Sequence, residues 1–231
     1  MKRLLLVLGF ILGIAGLASA SLITNGGFEL VDDRMGEFNY RLLNELGDGN
    51  GASWDVYNML PGGWYSTSGA GIEVQYDGTV ANPHSLFRYV ELDSHPLPNS
   101  NSNLLQDIDV VTTGTYELSF WYRPRTSALN DNGIGVFFGL TENVGNLDFL
   151  LTADDVSDND SNWVRYTHIL GPITGGQTYT LEFLAGGTEN TLGGFLDDIS
   201  ITLHPVPEPT TMFLLGTGLI GLAGLCRKKP A

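Results

Sequence analysis

The sequence predicts an all-β protein, an antiparallel β-sandwich of jelly-roll type, and three observations carry that expectation. Short runs alternate apolar and polar residues with a period of two, Gly, Asn, Asp and Pro punctuate them, and no stretch between residues 21 and 205 reads as a long helix. Seven or more strands with one apolar side each bury those sides against one another, as two sheets packed face to face.

The 231-residue chain opens with Lys2-Arg3, an apolar run over residues 4–17 and the small-residue site Ala18-Ser19-Ala20. That order is a secretory signal, a short N-terminal helix whose removal at residue 20 leaves a mature start at Ser21. Residues 21–205 are enough for one well-buried domain. Within them, 31–60 fits the strand pattern poorly and reads as a loop-rich insertion over one end of the sandwich. The first clear strand places Ile72, Val74 and Tyr76 on one face and Glu73 and Gln75 on the other. Leu104, Gln106, Ile108 and Val110 form the next inward row. After the turn at Thr113-Gly114-Thr115, Tyr116, Leu118, Phe120 and Tyr122 fill the core. Ile134, Val136, Phe138 and Leu140 alternate with Gly133, Gly135 and Gly139. Then come Val164, Tyr166, His168 and Leu170, followed by Tyr179, Leu181 and Phe183, and last Phe195, Asp197, Ile199, Ile201 and Leu203.

The end of the chain has a different character. Val206-Pro207-Glu208-Pro209 stops the upstream fold, because proline lacks the amide that a strand or helix needs. An uncharged apolar run over about 210–226 follows, and Arg227-Lys228-Lys229 closes it. This is a hydrophobic membrane-spanning helix with its basic end on the cytoplasmic side, short and Gly-rich enough to read as a transient anchor. Residues 206–231 resemble the PEP-CTERM sorting signal of bacterial surface proteins. The resemblance implies cleavage near Pro207-Glu208-Pro209 by an exosortase-type membrane protease, with the domain then released or attached at the surface of a Gram-negative bacterium. It also implies an association with exopolysaccharide and biofilm.

Five of the 11 basic residues belong to the two ends, leaving six arginines against 25 acids and a net charge near −19 over residues 21–205. Such a surface repels phosphate backbones and excludes nucleic acid as a partner. It suits cations, Ca²⁺ above all, although solubility outside the cell accounts for the charge equally well. The single cysteine, Cys226, lies in the tail, so the exported domain has no disulfide.

A second resemblance rests on four stretches in order: Leu22-Ile23-Thr24-Asn25-Gly26-Gly27-Phe28-Glu29; Pro61-Gly62-Gly63-Trp64; Gly114-Thr115-Tyr116-Glu117-Leu118-Ser119-Phe120-Trp121-Tyr122; and Gly194-Phe195-Leu196-Asp197-Asp198-Ile199-Ser200-Ile201. Together with Leu104-Leu105-Gln106 they resemble the galactose-binding-like jelly rolls, which include carbohydrate-binding modules. In such families a structural calcium joins the first strand to the last, and the resemblance carries that role to Glu29 and to Asp197 or Asp198. Alternation chooses Asp197, which shares parity with Phe195, Ile199 and Ile201 and points inward, while Asp198 faces water. An inward carboxylate requires a partner. The domain has no lysine, so Glu29, Asp197 and the Gly27 carbonyl are the expected Ca²⁺ ligands. The alternative is that Asp197 accepts loop amides at the rim. Asp158, Asp160 and Asn162 imitate an EF-hand loop, but Trp163 replaces its glycine and Ile169 its final acid, and they read as a polar turn.

Sugar binding calls for an aromatic plane beside directed hydrogen bonds. Trp121 and Arg123 face outward from their strand and form one candidate site. Trp64 and Tyr65, after a Pro-Gly-Gly turn, form another at the rim, where Trp54 also stands. The alternatives are a core position for Trp64 and cover by the 31–60 insertion for Trp121. No nucleophile elbow, zinc-protease motif or phosphate loop occurs, so the expected protein is non-catalytic. The expected function is binding of extracellular polysaccharide by an exported surface protein. The alternatives are a structural or adhesive matrix protein with no sugar site and, third, a polysaccharide hydrolase.

Overall fold

The computed structural model describes residues 20–31, 54–76, 78–95, 97–127, 131–154, 162–204 and 216–218. The signal segment, the sorting residues Val206, Pro207, Glu208, Pro209, Arg227, Lys228 and Lys229, residues 32–53 of the expected insertion and the EF-hand-like turn up to Ser161 lie outside the described residues. So does the expected membrane helix at 210–226, apart from a helical turn at 216–218. No helix among the described residues is long and apolar enough to cross a membrane.

Among the described residues, twelve strands form two six-stranded antiparallel sheets. They are β1 (Trp54–Tyr57), β2 (Met59–Leu60), β3 (Trp64–Tyr65), β4 (Ile72–Tyr76), β5 (Arg88–Glu91), β6 (Asn103–Val110), β7 (Gly114–Arg123), β8 (Ile134–Leu140), β9 (Asp148–Ala153), β10 (Val164–Ile173), β11 (Gln177–Ala185) and β12 (Phe195–Leu203). Sheet A runs β1-β4-β5-β12-β7-β10 and sheet B runs β2-β3-β6-β11-β8-β9. The expected sandwich is therefore present, and its core lies between the sheets. Phe120 meets Phe183 edge-on across it with ring centres 5.1 Å apart, and Leu104, Val136, Leu118, Leu181 and Leu196 are buried around them.

Two expectations are corrected by backbone geometry. Residues 54–60, assigned to the insertion, belong to the sandwich: Trp54–Tyr57 pairs with β4, and Met59–Leu60 with β3. The strands are four and two residues long, too short for alternation to stand out in the sequence. The second correction concerns β12. Its register with β7 shifts between Asp197 and Ser200, and Asp198 sits in the left-handed region at φ 49°. A bulge inserts a residue and reverses parity beyond it. Leu196 and, past the bulge, Ile199 and Ile201 enter the inter-sheet core. Phe195 and Asp197 instead point to the outer side of sheet A, opposite Arg123 and Trp121. Phe195 is buried there with Tyr89 and Ala81 under Trp163.

That outer side of sheet A is roofed by loops and holds a buried polar network. Nε2 of Gln75 donates to Glu73 at 2.8 Å and to Glu91 at 2.6 Å, and the Tyr89 hydroxyl donates to Oε1 of Gln75 at 2.8 Å. Arg125 donates to both oxygens of Glu91, and Gly193 adds its amide at 2.7 Å. Glu73 receives the His95 amide and lies 2.9 Å from Nδ1 of that ring, which stacks on Trp54. Burial, reinforced by Glu73, holds the Glu91 carboxyl well above its ordinary pKa in spite of Arg125.

Candidate functional site

The N-terminal segment is bound to the last strand. Leu22 donates its amide to the Ile201 carbonyl at 2.7 Å, and Ile199 donates to Gly26 at 3.0 Å. A side chain at Gly26 would overlap the Ile199 carbonyl, its Cβ falling 2.0 Å from that oxygen, so only glycine permits this approach. Gly27 then lies against both acids of the bulge, at 3.1 Å from Asp198 Oδ1 and 3.7 Å from Asp197 Oδ1, measured from where a Cβ would stand.

Asp197 is completely buried. Its Oδ2 accepts the amides of His84 and Ser85 at 2.9 and 3.1 Å, and its Oδ1 accepts the Asp198 amide at 2.7 Å. The carboxyl is pushed up to about 7, chiefly by burial and then by the Asp198 charge, against the pull of those amides. Asp198 does not face water as expected. The bulge turns it toward the same loop, where it accepts the Ser85 hydroxyl at 2.8 Å and pairs with Nδ1 of His84. His84, Asp197 and Asp198 each offer one ligand atom, all within 4.8 Å of one another.

The expected calcium ligands are thus partly brought together. Gly27 and Asp197 meet, whereas the side chain of Glu29 accepts the amides of Phe87 and Arg88 at 2.8 and 3.0 Å. Asp198 and His84 take the places next to Asp197. A carboxylate has about four lone-pair positions and Asp197 uses three, so one remains for a cation. Two adjacent acids, one of them fully buried, and no lysine in the domain make a donor set that fits one. His84 had no signal in the sequence. Its place depends on a loop 113 residues distant from Asp197.

The four expected ligand-binding residues fall in three places. Trp64 is 0% exposed, its indole donates to the Asn25 carbonyl at 3.0 Å, and Phe28 packs on it. It is a core residue, and the rim role expected for it is withdrawn. Trp121 points outward as expected, but His84 stacks on one face at 3.7 Å between centres. Arg123 is half-buried beside Phe195, with Nε enclosed and the guanidinium pKa lowered by burial. Tyr65 alone stands on an open surface.

That surface is the outer side of sheet B. Register places Tyr65 beside Leu105, Asp107 beside Thr180, Glu182 beside Phe137, and Phe137 beside Phe149. Directly opposed residues share a face. Tyr65 donates to Asp107 at 3.1 Å, Thr180 donates to the same oxygen at 2.7 Å, and Asn103 donates to Glu182 at 2.9 Å. Burial first and Asp107 second push the Tyr65 hydroxyl up to about 12, so it remains a donor. At the far end Phe137 and Phe149 meet at 5.5 Å, and Phe149 is 58% exposed. A side chain at residue 135 would come within 3.0 Å of the Phe137 ring, so Gly135 lets that ring lie along the strand. The two phenylalanines, Gly133, Gly135, Thr152 and Leu184 line a shallow trough of about 360 Å³. The glycines interleaved in β8 were the available signal, since they leave Phe137 as the bulky outward residue of that strand.

Residues 205–228 match the PEP-CTERM protein-sorting motif. No curated protein matches the chain. Among solved structures it is similar to TmCBM61 in complex with beta-1,4-galactotriose, at 16% identity over 80% of this chain and 100% of that one, with a TM-score of 0.44. It is similar to CBM35 from Paenibacillus barcinonensis at 19% identity, over 62% and 94% of the two chains, with a TM-score of 0.38. A cyclase from Fischerella sp. TAU shares 16% identity over 81% and 98%, with a TM-score of 0.45. These likenesses concern strand architecture, and because they include carbohydrate-binding modules and an enzyme alike they do not extend to activity.

Proposed function

We propose that this is an exported, non-catalytic protein that binds extracellular polysaccharide on the open side of sheet B. The sorting motif implies export, anchoring through the terminal segment and processing by an exosortase. The observation that carries the binding reading is the pair of half-buried Phe137 and exposed Phe149 at the end of a hydroxyl and carboxylate ladder. In that ladder Tyr65, Asp107 and Glu182 reach the surface, and the enclosed Thr180 hydroxyl holds Asp107 in place. A sugar ring has an apolar face and a rim of hydroxyls, and such a surface offers a partner for each. The acidic domain repels polyanions, so the preferred glycan is neutral. Surface attachment and a role in a Gram-negative biofilm matrix belong to the same proposal.

Affinity electrophoresis of the purified protein through gels containing neutral or acidic polysaccharides tests the reading. Retardation by a neutral glycan is expected. Migration unaffected by every glycan, with capture of matrix proteins instead, would favour an adhesive role, and release of reducing sugar would establish a hydrolase.

A structural Ca²⁺ between the N-terminal segment and β12 is part of the proposal, with Asp197 and Asp198 supplying the oxygens it favours and Gly27 leaving room. Asp198→Asn should reduce the gain in melting temperature on adding CaCl₂, because a ligand that binds only the folded state stabilises it. An equal gain in the variant and the wild type would remove this site.

A further inference from the structure

Asp93 and Asn101, beyond the end of β5, form an isolated antiparallel bridge. On either side of it the Ser94 amide donates to the Ser100 carbonyl at 2.8 Å, and the Ser102 amide donates to Leu92 at 2.7 Å. A pair framed in this way is the non-hydrogen-bonded kind, with Cα atoms about 4.5 Å apart and adjacent side chains. Asp93 is 1% exposed. Its Oδ2 accepts the amides of Asn190 and Leu192 at 3.1 and 3.0 Å, while Oδ1, equally enclosed, meets no donor among the described residues. Oδ1 of Asn101 is in the same condition, its amide nitrogen being turned to the Gly187 carbonyl at 3.2 Å.

Two enclosed acceptor oxygens on paired side chains disfavour the fold unless something positive stands with them. The described residues supply little. Residues 21–205 contain no lysine, and Arg125, which reaches this loop, is committed to Glu91 and the Thr191 carbonyl. Asp131, which accepts the Asn190 side chain at 2.9 Å, and Glu189, which accepts the Asn99 amide at 3.3 Å, add further negative charge.

We propose that Asp93 Oδ1 and Asn101 Oδ1 ligate a Ca²⁺ ion that clasps the two ends of the 93–101 segment, whose same side chains hold the 187–193 loop by hydrogen bonds. The donors are a carboxylate and an amide carbonyl, the hard oxygens that Ca²⁺ selects. The site shares no residue with the Asp197 and Asp198 pair, and it stands whether or not the protein binds polysaccharide.

Asp93→Asn separates the cation from the fold. The new side-chain oxygen keeps the two loop amides, and the new NH₂ group donates to Asn101 Oδ1, so a hydrogen bond takes over the role of the ion. The full-length protein, stripped with EDTA and dialysed against CaCl₂, should lose one bound Ca²⁺ per chain by elemental analysis in Asp93→Asn and in Asn101→Ala. Asp198→Asn should keep that ion. In EDTA, Asp93→Asn should melt above the wild type and gain less on adding CaCl₂. A wild-type chain that binds no Ca²⁺, or Ca²⁺ content and melting gain unchanged in both variants, would overturn the proposal and leave a water bridge in its place. Asn101→Ala, at a half-buried position, decides the matter even if Asp93→Asn fails to fold.

Discussion

Arg125→Met is expected to destabilise the domain by about 3 to 5 kcal/mol, the usual cost of removing one partner from a buried ion pair. Glu91 is fully enclosed and Arg125 largely so, and the guanidinium reaches both carboxylate oxygens as well as the Thr191 carbonyl. Without it, Glu91 keeps, among the described residues, the Gln75 and Gly193 donors, beside a second acid, Glu73. The loss depends on pH. Burial already holds Glu91 above its ordinary pKa of 4.5, so the folded state binds the proton more tightly than the unfolded chain. Stability therefore falls as pH rises from the unfolded value through the folded one. The deficit of Arg125→Met should be largest at neutral pH and shrink in acid, where Glu91 takes up its proton. Chemical denaturation at pH 5 and pH 8 reads both effects. An equal deficit at the two values would show that Arg125 acts through packing alone.

Trp64→Ala should cost a comparable 3 to 5 kcal/mol, roughly the penalty for deleting a large buried ring. Trp64 touches Phe28 and ties the N-terminal segment to β3 through the Asn25 carbonyl, so its loss opens a cavity and frees that segment together. Glycan affinity of the folded fraction should be unchanged. A stable variant that no longer binds glycan would return Trp64 to the ligand-contacting role that its Pro-Gly-Gly turn first indicated.

The sequence made the long strands legible because burial of one side imposes a period of two. Tyr116, Leu118, Phe120 and Tyr122 point inward as that period requires, and so do Leu181 and Phe183. Where backbone geometry departs from the period, the reading fails. The bulge at Asp197 and Ser200 sends Phe195 and Asp197 to the opposite side from Ile199 and Ile201, and no feature of the residues themselves announces it. Asp197 is nevertheless buried, on the outer side of sheet A rather than between the sheets, and a buried acid needs partners on either side. Those partners turned out to be Asp198 and a loop carrying His84 and Ser85. The open face of sheet B was hidden for a related reason. Tyr65, Asp107, Glu182 and Phe149 meet only through strand pairing, across segments that no local pattern connects.

The most direct test compares Phe149→Ala with Trp121→Ala in gels containing a neutral polysaccharide that retards the wild type. Phe149→Ala, at an exposed position, should keep the wild-type melting temperature and lose retardation, while Trp121→Ala should retain it. Retardation kept by Phe149→Ala and lost by Trp121→Ala would contradict the account and move the binding surface to the outer side of sheet A.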